Sequence, residues 1–195
     1  MERKYVTYIT NLFFLVIVFL FTYPGYSQVD AVSQATKGWQ WPPYGYTYQV
    51  TIVPGIDGYV IVYDNNLYRG STPSAEGVGQ LKNFGIKTII TIAPDIEFEK
   101  IVQSAGLKLV AFNWQNRNMM SSEDLDGFLK IIKENKAPFY LHSREENQEA
   151  GILAAIYRLY IENWPYEKTI IEYGRVGGSL KDDDRILRSI MKKTQ

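Results

Sequence analysis

The chain has 195 residues, of which 46% are hydrophobic, 14% aromatic and 22% charged, a composition typical of a folded globular protein. Lys and Arg total 21, and Asp and Glu also total 21, so no surplus of positive charge indicates a nucleic acid or an anionic membrane as partner. The chain has no cysteine and one histidine, which excludes disulfides, thiolate or multi-histidine metal sites and a cysteine nucleophile. We therefore predict neither a metal site nor a cofactor.

Residues 1–27 have the pattern of a secretory signal peptide. A short charged start precedes an unbroken apolar run at residues 12–21, and small residues follow before Gln28. We expect cleavage after Ser27, which would leave an exported protein, periplasmic or extracellular, with no stable membrane span. The alternative is an uncleaved anchor, but residues 5–23 include polar side chains, and spanning helices need about 20 predominantly apolar residues.

Residues 28–48 are predicted to form an aromatic-rich N-terminal arm in front of a single domain at residues 49–195. Five aromatic residues lie between positions 39 and 48, together with two prolines that disfavour regular structure. These rings would either offer a stacking surface to a protein or glycan partner or pack over the domain. The composition favours neither partner over the other.

From residue 49 onward, β-branched apolar runs alternate with stretches of helical spacing. Such alternation favours an α/β fold, a three-layer sandwich with a mostly parallel central sheet and helices on both faces. The predicted strands are residues 50–53, 59–63, 88–92, 107–112 and 139–141. The predicted helices lie at residues 72–85, 95–104, from 121 onward, 149–161, 165–173 and 182–193.

The strongest candidate for a functional site is the segment at residues 137–151. It consists of an apolar strand, a polar loop and then the most apolar of the predicted helices. In α/β sheets, ligands bind at the carboxyl ends of strands, where a loop leads into a helix. A loop of this kind normally directs backbone N–H groups and the helix dipole at a phosphate.

Four segments, in order, resemble the cysteine-dependent dual-specificity and tyrosine phosphatases, particularly their small bacterial members. Residues 66–74 read Asn-Leu-Tyr-Arg-Gly-Ser-Thr-Pro-Ser, residues 84–90 read Phe-Gly-Ile-Lys-Thr-Ile-Ile, and residues 139–142 read Phe-Tyr-Leu-His, followed later by Gly151. The similarity extends over about residues 57–175. It implies a (phosphotyrosine protein phosphatase)-like fold with a phosphate-binding loop at the predicted site.

The signature loop of that family is altered in this chain. The family pattern is His-Cys, two residues, Gly, two residues, Arg, Ser or Thr, and Gly. The matching positions hold His142, then Ser143 for the nucleophile, Glu146 for the loop glycine, Glu149 for the phosphate-binding arginine, Ala150 for the hydroxyl residue, and Gly151. The family also has a general-acid Asp in the loop that corresponds to residues 112–118, which contain no carboxylate.

These changes predict a loop that no longer binds or hydrolyses phosphate. A serine hydroxyl stays protonated unless a base is paired with it, and His142, adjacent on a strand, faces the other way. Glu149 replaces a bidentate cation by an anion; two unit charges about 4 Å apart repel by on the order of 4 kcal/mol at an effective dielectric near 20. The sequence thus favours a pseudophosphatase that acts as a binding module.

Other interpretations of the loop remain open. Ser143 and Glu146 have the spacing of a capping box, so the loop would be stabilised without a ligand. The carboxylates would alternatively form a site for a cation or a basic peptide. A hydrolase would use Ser143 for weak phosphomonoesterase activity or use Glu145, Glu146 and Glu149 for other chemistry.

Further residues are candidates for the wall of a reshaped pocket. They are Arg69, Trp114, Arg144 and Glu145. Trp114 would equally well cover the core, and the family resemblance implies a structural role for His142 in hydrogen bonding to the loop. The acidic run at residues 182–184 resembles calcium ligands but lacks the alternate spacing and glycine of a calcium loop, so a capped helix start is favoured.

Overall fold

A computed structural model describes residues 47–92, 95–114, 119–143 and 148–191. The strands in this part of the chain are β1 (Gln49–Thr51), β2 (Val60–Val62), β3 (Leu67–Arg69), β4 (Thr88–Thr91), β5 (Lys108–Ala111) and β6 (Phe139–His142). The helices are α1 (Ala75–Asn83), α2 (Ile96–Ser104), α3 (Ser122–Glu134), α4 (Gln148–Tyr160), α5 (Tyr166–Arg175) and α6 (Leu180–Met191). The predicted signal peptide and all but the last two residues of the predicted arm lie outside the described residues.

The strands form one sheet in the order β1-β2-β3-β6-β4-β5. The strands β3, β6, β4 and β5 run parallel, whereas β1 and β2 pair antiparallel with their neighbours. A mostly parallel sheet requires crossover connections, and helices supply them here. The predicted α/β fold with a mostly parallel sheet is confirmed, and the antiparallel β1–β2–β3 edge is an addition to it.

The two faces of the sheet bury separate hydrophobic clusters. Successive side chains on a strand point to opposite faces, so Ile89 and Tyr140 pack with α1 and α2, whereas Ile90 and Leu141 pack with α3 to α6. The helices therefore lie in two layers around the sheet, which confirms the three-layer arrangement.

Several helix ends follow from local sequence chemistry. Ser74 begins α1 by accepting a hydrogen bond from the Gly77 N–H, and Asp95 begins α2 by accepting one from the Glu97 N–H. Ser121 begins α3 with a complete capping box to Asp124, the arrangement that satisfies otherwise unpaired N–H groups at a helix start. In the described part of the chain, no helix is long and apolar enough to cross a membrane.

Candidate functional site

The candidate loop lies at the carboxyl end of β6, as the sequence predicts. The strand β6 ends at His142, α4 begins at Gln148, and β6 lies between β3 and β4 in the sheet. The loop therefore leaves the centre of the parallel sheet and enters the N-terminus of α4, the usual place for a ligand site in such folds. Arg144, Glu145 and Glu146 lie outside the described residues, and with them the predicted capping box.

Two of the altered signature positions are buried, one at the end of β6 and the other at the start of α4. Ser143 directly follows β6 and is 3% exposed, and Glu149 lies in the first turn of α4 and is 9% exposed. A carboxylate in the first turn of a helix interacts favourably with the positive end of the helix dipole. The start of α4 therefore carries its own anion at the position where the resembling family has a phosphate-binding cation.

His142 is a buried, neutral residue that faces α2. Its Nδ1 lies 3.3 Å from the Thr72 hydroxyl, and its ring meets the edge of Phe98 with centroids 4.8 Å apart. Its Nε2 has no hydrogen-bond partner among the described residues. Burial lowers the pKa of His142 from 6.5 to about 4, because the surroundings disfavour the charged imidazolium. The neutral ring contributes to one wall of a 340 Å³ cavity.

Arg69 lies on the opposite face of the sheet from His142. It pairs in register with Leu141, whereas His142 pairs with Thr91, and the alternation of side chains separates the two. Arg69 is 5% exposed, and its guanidinium donates to the Val176 carbonyl over 2.7 Å. The structure therefore does not bring Arg69 and His142 together in one pocket.

Gly151 leaves room for the guanidinium of Arg69. A Cβ added to Gly151 would lie 2.5 Å from Nη1 of Arg69, closer than any ordinary van der Waals contact. The signature glycine thus allows α4 to approach β3 with a buried arginine between them. This close packing gives Gly151 a structural role that the sequence pattern alone does not reveal.

Trp114 belongs to the hydrophobic core. It is 5% exposed, packs in the cluster beneath α3 and α4, and donates from Nε1 to the Met119 carbonyl over 3.0 Å. This bond closes the loop that follows β5. Of the two predicted roles for Trp114, covering the core is the one that its contacts match.

Asp183 of the acidic run at residues 182–184 ties three helices together. It is 2% exposed, accepts a hydrogen bond from the Gln148 side chain over 2.6 Å, and accepts another from the Tyr173 hydroxyl. Gln148 begins α4, Tyr173 lies in α5 and Asp183 lies in α6. The acidic run therefore contributes a buried helix-to-helix contact, which the predicted capping role did not anticipate.

Sequence reasoning also missed a buried ionic cluster around Arg158. The guanidinium is 2% exposed, lies 2.8 Å from Glu172 and 2.6 Å from Glu162, and donates to the carbonyls of Thr47 and Tyr63. Its charge also lies over the Trp164 ring, 4.0 Å from the centroid. A single arginine within the apolar run of α4 at residues 150–160 was the available signal, because such a charge must find partners when buried.

Solved structures with the same arrangement place the fold in a known class. The crystal structure of TpbA from Pseudomonas aeruginosa has a TM-score of 0.57 at 20% identity, covering 76% of this chain and 89% of that one. The core catalytic domain of the PP-IP phosphatase SIW14 from S. cerevisiae has a TM-score of 0.55 at 20% identity, covering 75% and 93%. The fold is therefore that of the phosphotyrosine-phosphatase-like α/β proteins.

Sequence comparison identifies the family. Residues 61–182 match the family described as DSP-PTPase phosphatase fused to NAD+ kinase, and the chain belongs to this dual-specificity phosphatase-like family. The dual specificity protein phosphatase TpbA of Pseudomonas aeruginosa (strain UCBPP-PA14) is 26% identical over 120 residues, which are 61% of this chain. The match spans 55% of the length of that relative. The resemblance recognised in the four sequence segments is thus confirmed.

Proposed function

We propose that this protein is a catalytically inactive member of its family, a pseudophosphatase that acts by binding. The observation that carries the proposal is Glu149, a carboxylate buried in the first turn of α4 at the position of the family's phosphate-binding arginine. A phosphate placed beside it would meet a charge of the same sign in a poorly solvated site, where the repulsion is weakly screened.

The missing nucleophile supports the same proposal. The whole sequence contains no cysteine, and the thiolate of this family is what attacks phosphorus. Ser143 stands in its place, and His142 faces α2, where burial lowers its pKa to about 4 and makes the neutral imidazole a weak proton acceptor. A serine hydroxyl stays protonated near neutral pH and is a weaker nucleophile than a thiolate.

Hydrolysis of a generic aryl phosphate by the purified protein tests the proposal. We expect no turnover above the uncatalysed rate for the natural chain and for Glu149→Arg, which restores the cation without a nucleophile. We expect measurable turnover in the Ser143→Cys, Glu149→Arg double variant. Far-UV circular dichroism of each variant checks that the fold is kept.

The opposing outcome is equally clear. Turnover by the natural chain that disappears on Ser143→Ala would make Ser143 a nucleophile and the protein a hydrolase. Turnover that survives Ser143→Ala but is lost on Glu149→Gln would assign the chemistry to the loop carboxylates. Either result would refute the pseudophosphatase proposal.

We further propose that the protein works outside the cytoplasm, where its binding surface would meet a protein or glycan partner. The signal-peptide pattern at residues 1–27 supports this proposal. Expression of the full chain in a bacterium, followed by fractionation and N-terminal sequencing, should yield a soluble exported product that begins at Gln28. A product that keeps Met1 and stays in the membrane fraction would support the anchor instead.

A further inference from the structure

A second cavity lies beside the first turn of α4, on the face of the sheet opposite His142. It has a volume of 240 Å³ and lies where β2 and β3 meet the start of α4 and the end of α5. The residues that line it are Tyr59, Ile61, Arg69, Gln148, Gly151, Tyr173, Val176, Gly177 and Gly178. It is separate from the signature loop positions Ser143 and Glu149, neither of which lines it.

Arg69 is the one permanently charged side chain among the described residues that line this cavity. It is 95% buried, and its described contacts are the hydrogen bond to the Val176 carbonyl and a 6.0 Å approach to the Tyr63 ring. No carboxylate of the described residues lies within ion-pair distance of it. A guanidinium carries five N–H donors, and in the structure one nitrogen of Arg69, Nη2, pairs with a described residue.

Among the groups that the structure describes around the cavity, no carboxylate pairs directly with this charge. Asp183 lies behind the cavity wall, but its two carboxylate oxygens accept hydrogen bonds from Gln148 and Tyr173. The Val176 carbonyl at the end of α5 offers Arg69 a dipole and not a full charge. Burial removes the hydration of a cation, so an anion bound in the cavity would stabilise the Arg69 charge.

The shape and chemistry of the cavity define the ligand. The planar guanidinium matches a carboxylate or phosphate group with two parallel hydrogen bonds, and the positive end of the α4 dipole lies at Gln148. The Tyr59 and Tyr173 rings and Ile61 offer apolar surface beside it. The cavity wall also contains three glycines, whose lack of side chains leaves space for a ligand: Gly151, Gly177 and Gly178.

We propose that this cavity binds a small organic oxyanion, with the carboxylate or phosphate group on Arg69 and an apolar or aromatic body against Tyr59. Ser143 does not line the cavity, so the proposal stands whether or not Ser143 is a nucleophile.

Amide chemical-shift titrations of the ¹⁵N-labelled protein test the site. The probes are benzoate, phenylphosphonate, which has no hydrolysable P–O–C bond, and benzylammonium, which keeps the ring and reverses the charge. We expect saturable shifts at Gly151, Gly177 and Gly178 with at least one of the two anions and none with the cation. Benzoate against phenylphosphonate then decides between a carboxylate and a phosphate ligand.

Two variants separate the contributions. Arg69→Gln removes the charge and should weaken binding of the anion by about tenfold or more, the usual effect of losing a charge-assisted hydrogen bond. Tyr59→Ala alters a side chain that is 65% exposed, so the fold is kept even where Arg69→Gln fails to fold. The Tyr59→Ala substitution should weaken the binding of phenylphosphonate or benzoate several-fold and leave any binding of inorganic phosphate unchanged.

Three results would overturn the proposal. They are the absence of saturable shifts with both anions, equal binding of benzylammonium, and shifts confined to Ser143 and Glu149 that persist in the Tyr59→Ala variant. The last of these would place the anion in the signature loop and would at the same time contradict the proposed loss of phosphate binding. Failure of the cavity proposal alone leaves the aryl phosphate assay unaffected.

Discussion

Replacement of His142 by Gln should change how the stability of the protein depends on pH. His142 is 2% exposed, and burial lowers its pKa from 6.5 to about 4. Between these values the unfolded chain binds a proton that the folded protein does not. Stability is therefore fully present above the unfolded pKa and is lost as pH falls toward the folded pKa.

The size of this stability change follows from the pKa shift of His142. One pKa unit corresponds to about 1.4 kcal/mol, so the complete loss below both pKa values is about 3 kcal/mol. Between pH 7 and pH 5, partial protonation of the unfolded chain gives a loss of about 2 kcal/mol from this single side chain. The glutamine side chain of His142→Gln cannot be protonated, so between pH 7 and pH 5 the variant should keep the roughly 2 kcal/mol of stability that the wild-type protein loses.

Glu162 acts in the opposite direction and must be separated from His142. Burial, followed by a hydrogen bond with Asp64, raises the pKa of Glu162 from 4.5 to about 7 although Arg158 lies beside it. Its contribution to stability is present below pH 4.5 and is lost as pH rises through 7. The two effects oppose each other in the wild-type protein, so Glu162→Gln should steepen the loss on acidification.

The assay is urea unfolding of the wild-type protein, His142→Gln and Glu162→Gln at several pH values from 5 to 7.5. Because His142 is the only histidine of the chain, its imidazole gives one resolved NMR signal that reports its pKa directly. Parallel stability curves for the wild-type protein and His142→Gln, or an imidazole titration centred near 6.5, would refute the reasoning.

Two further predictions concern packing around α4. Arg158→Met should lower the free energy of unfolding by about 3–5 kcal/mol, because it leaves Glu172 buried without its cation. The Arg158→Met, Glu172→Leu double variant should recover part of this loss. Equal stability of the single variant and the wild-type protein in urea would contradict the prediction. Gly151→Ala should cost about 1–3 kcal/mol, because the new Cβ meets Arg69 at 2.5 Å, whereas Gly79→Ala in α1, with open space around it, should stabilise by about 0.5–1 kcal/mol. Thermal unfolding of the two glycine variants compares them, and the same sign for both would argue against the close packing.

Local patterns predicted the helices well because their ends are encoded nearby. Ser121 and Asp124 form a capping box in α3, and Gly85, with a φ of 86°, follows α1, as expected where a helix ends in a left-handed conformation. The strand β3 was not predicted as a strand. Its three residues, Leu67–Arg69, are too few to show alternation, and their pairing with β2 and β6 depends on distant segments.

For the candidate site, the sequence shows which residues occupy the signature positions and that they follow a strand and precede a helix. The absence of cysteine and the presence of Glu149 at the start of α4 can be read from the chain, because each is a matter of residue identity. The partners of Arg158 and Asp183 could not be read in this way. They include Gln148 of α4 for Asp183, and Glu172 of α5 and Thr47 before β1 for Arg158, which are 35, 14 and 111 residues away in sequence.

By itself the sequence determined the alternation of strands and helices, the family, and the replacement of the family's cysteine and arginine by Ser143 and Glu149. The tertiary structure alone decided that His142 and Arg69 face opposite sides of the sheet. Their separation depends on the parallel register of β3, β6 and β4, which is set by long-range pairing. For this reason two residues that both belong to the family motifs line two different cavities.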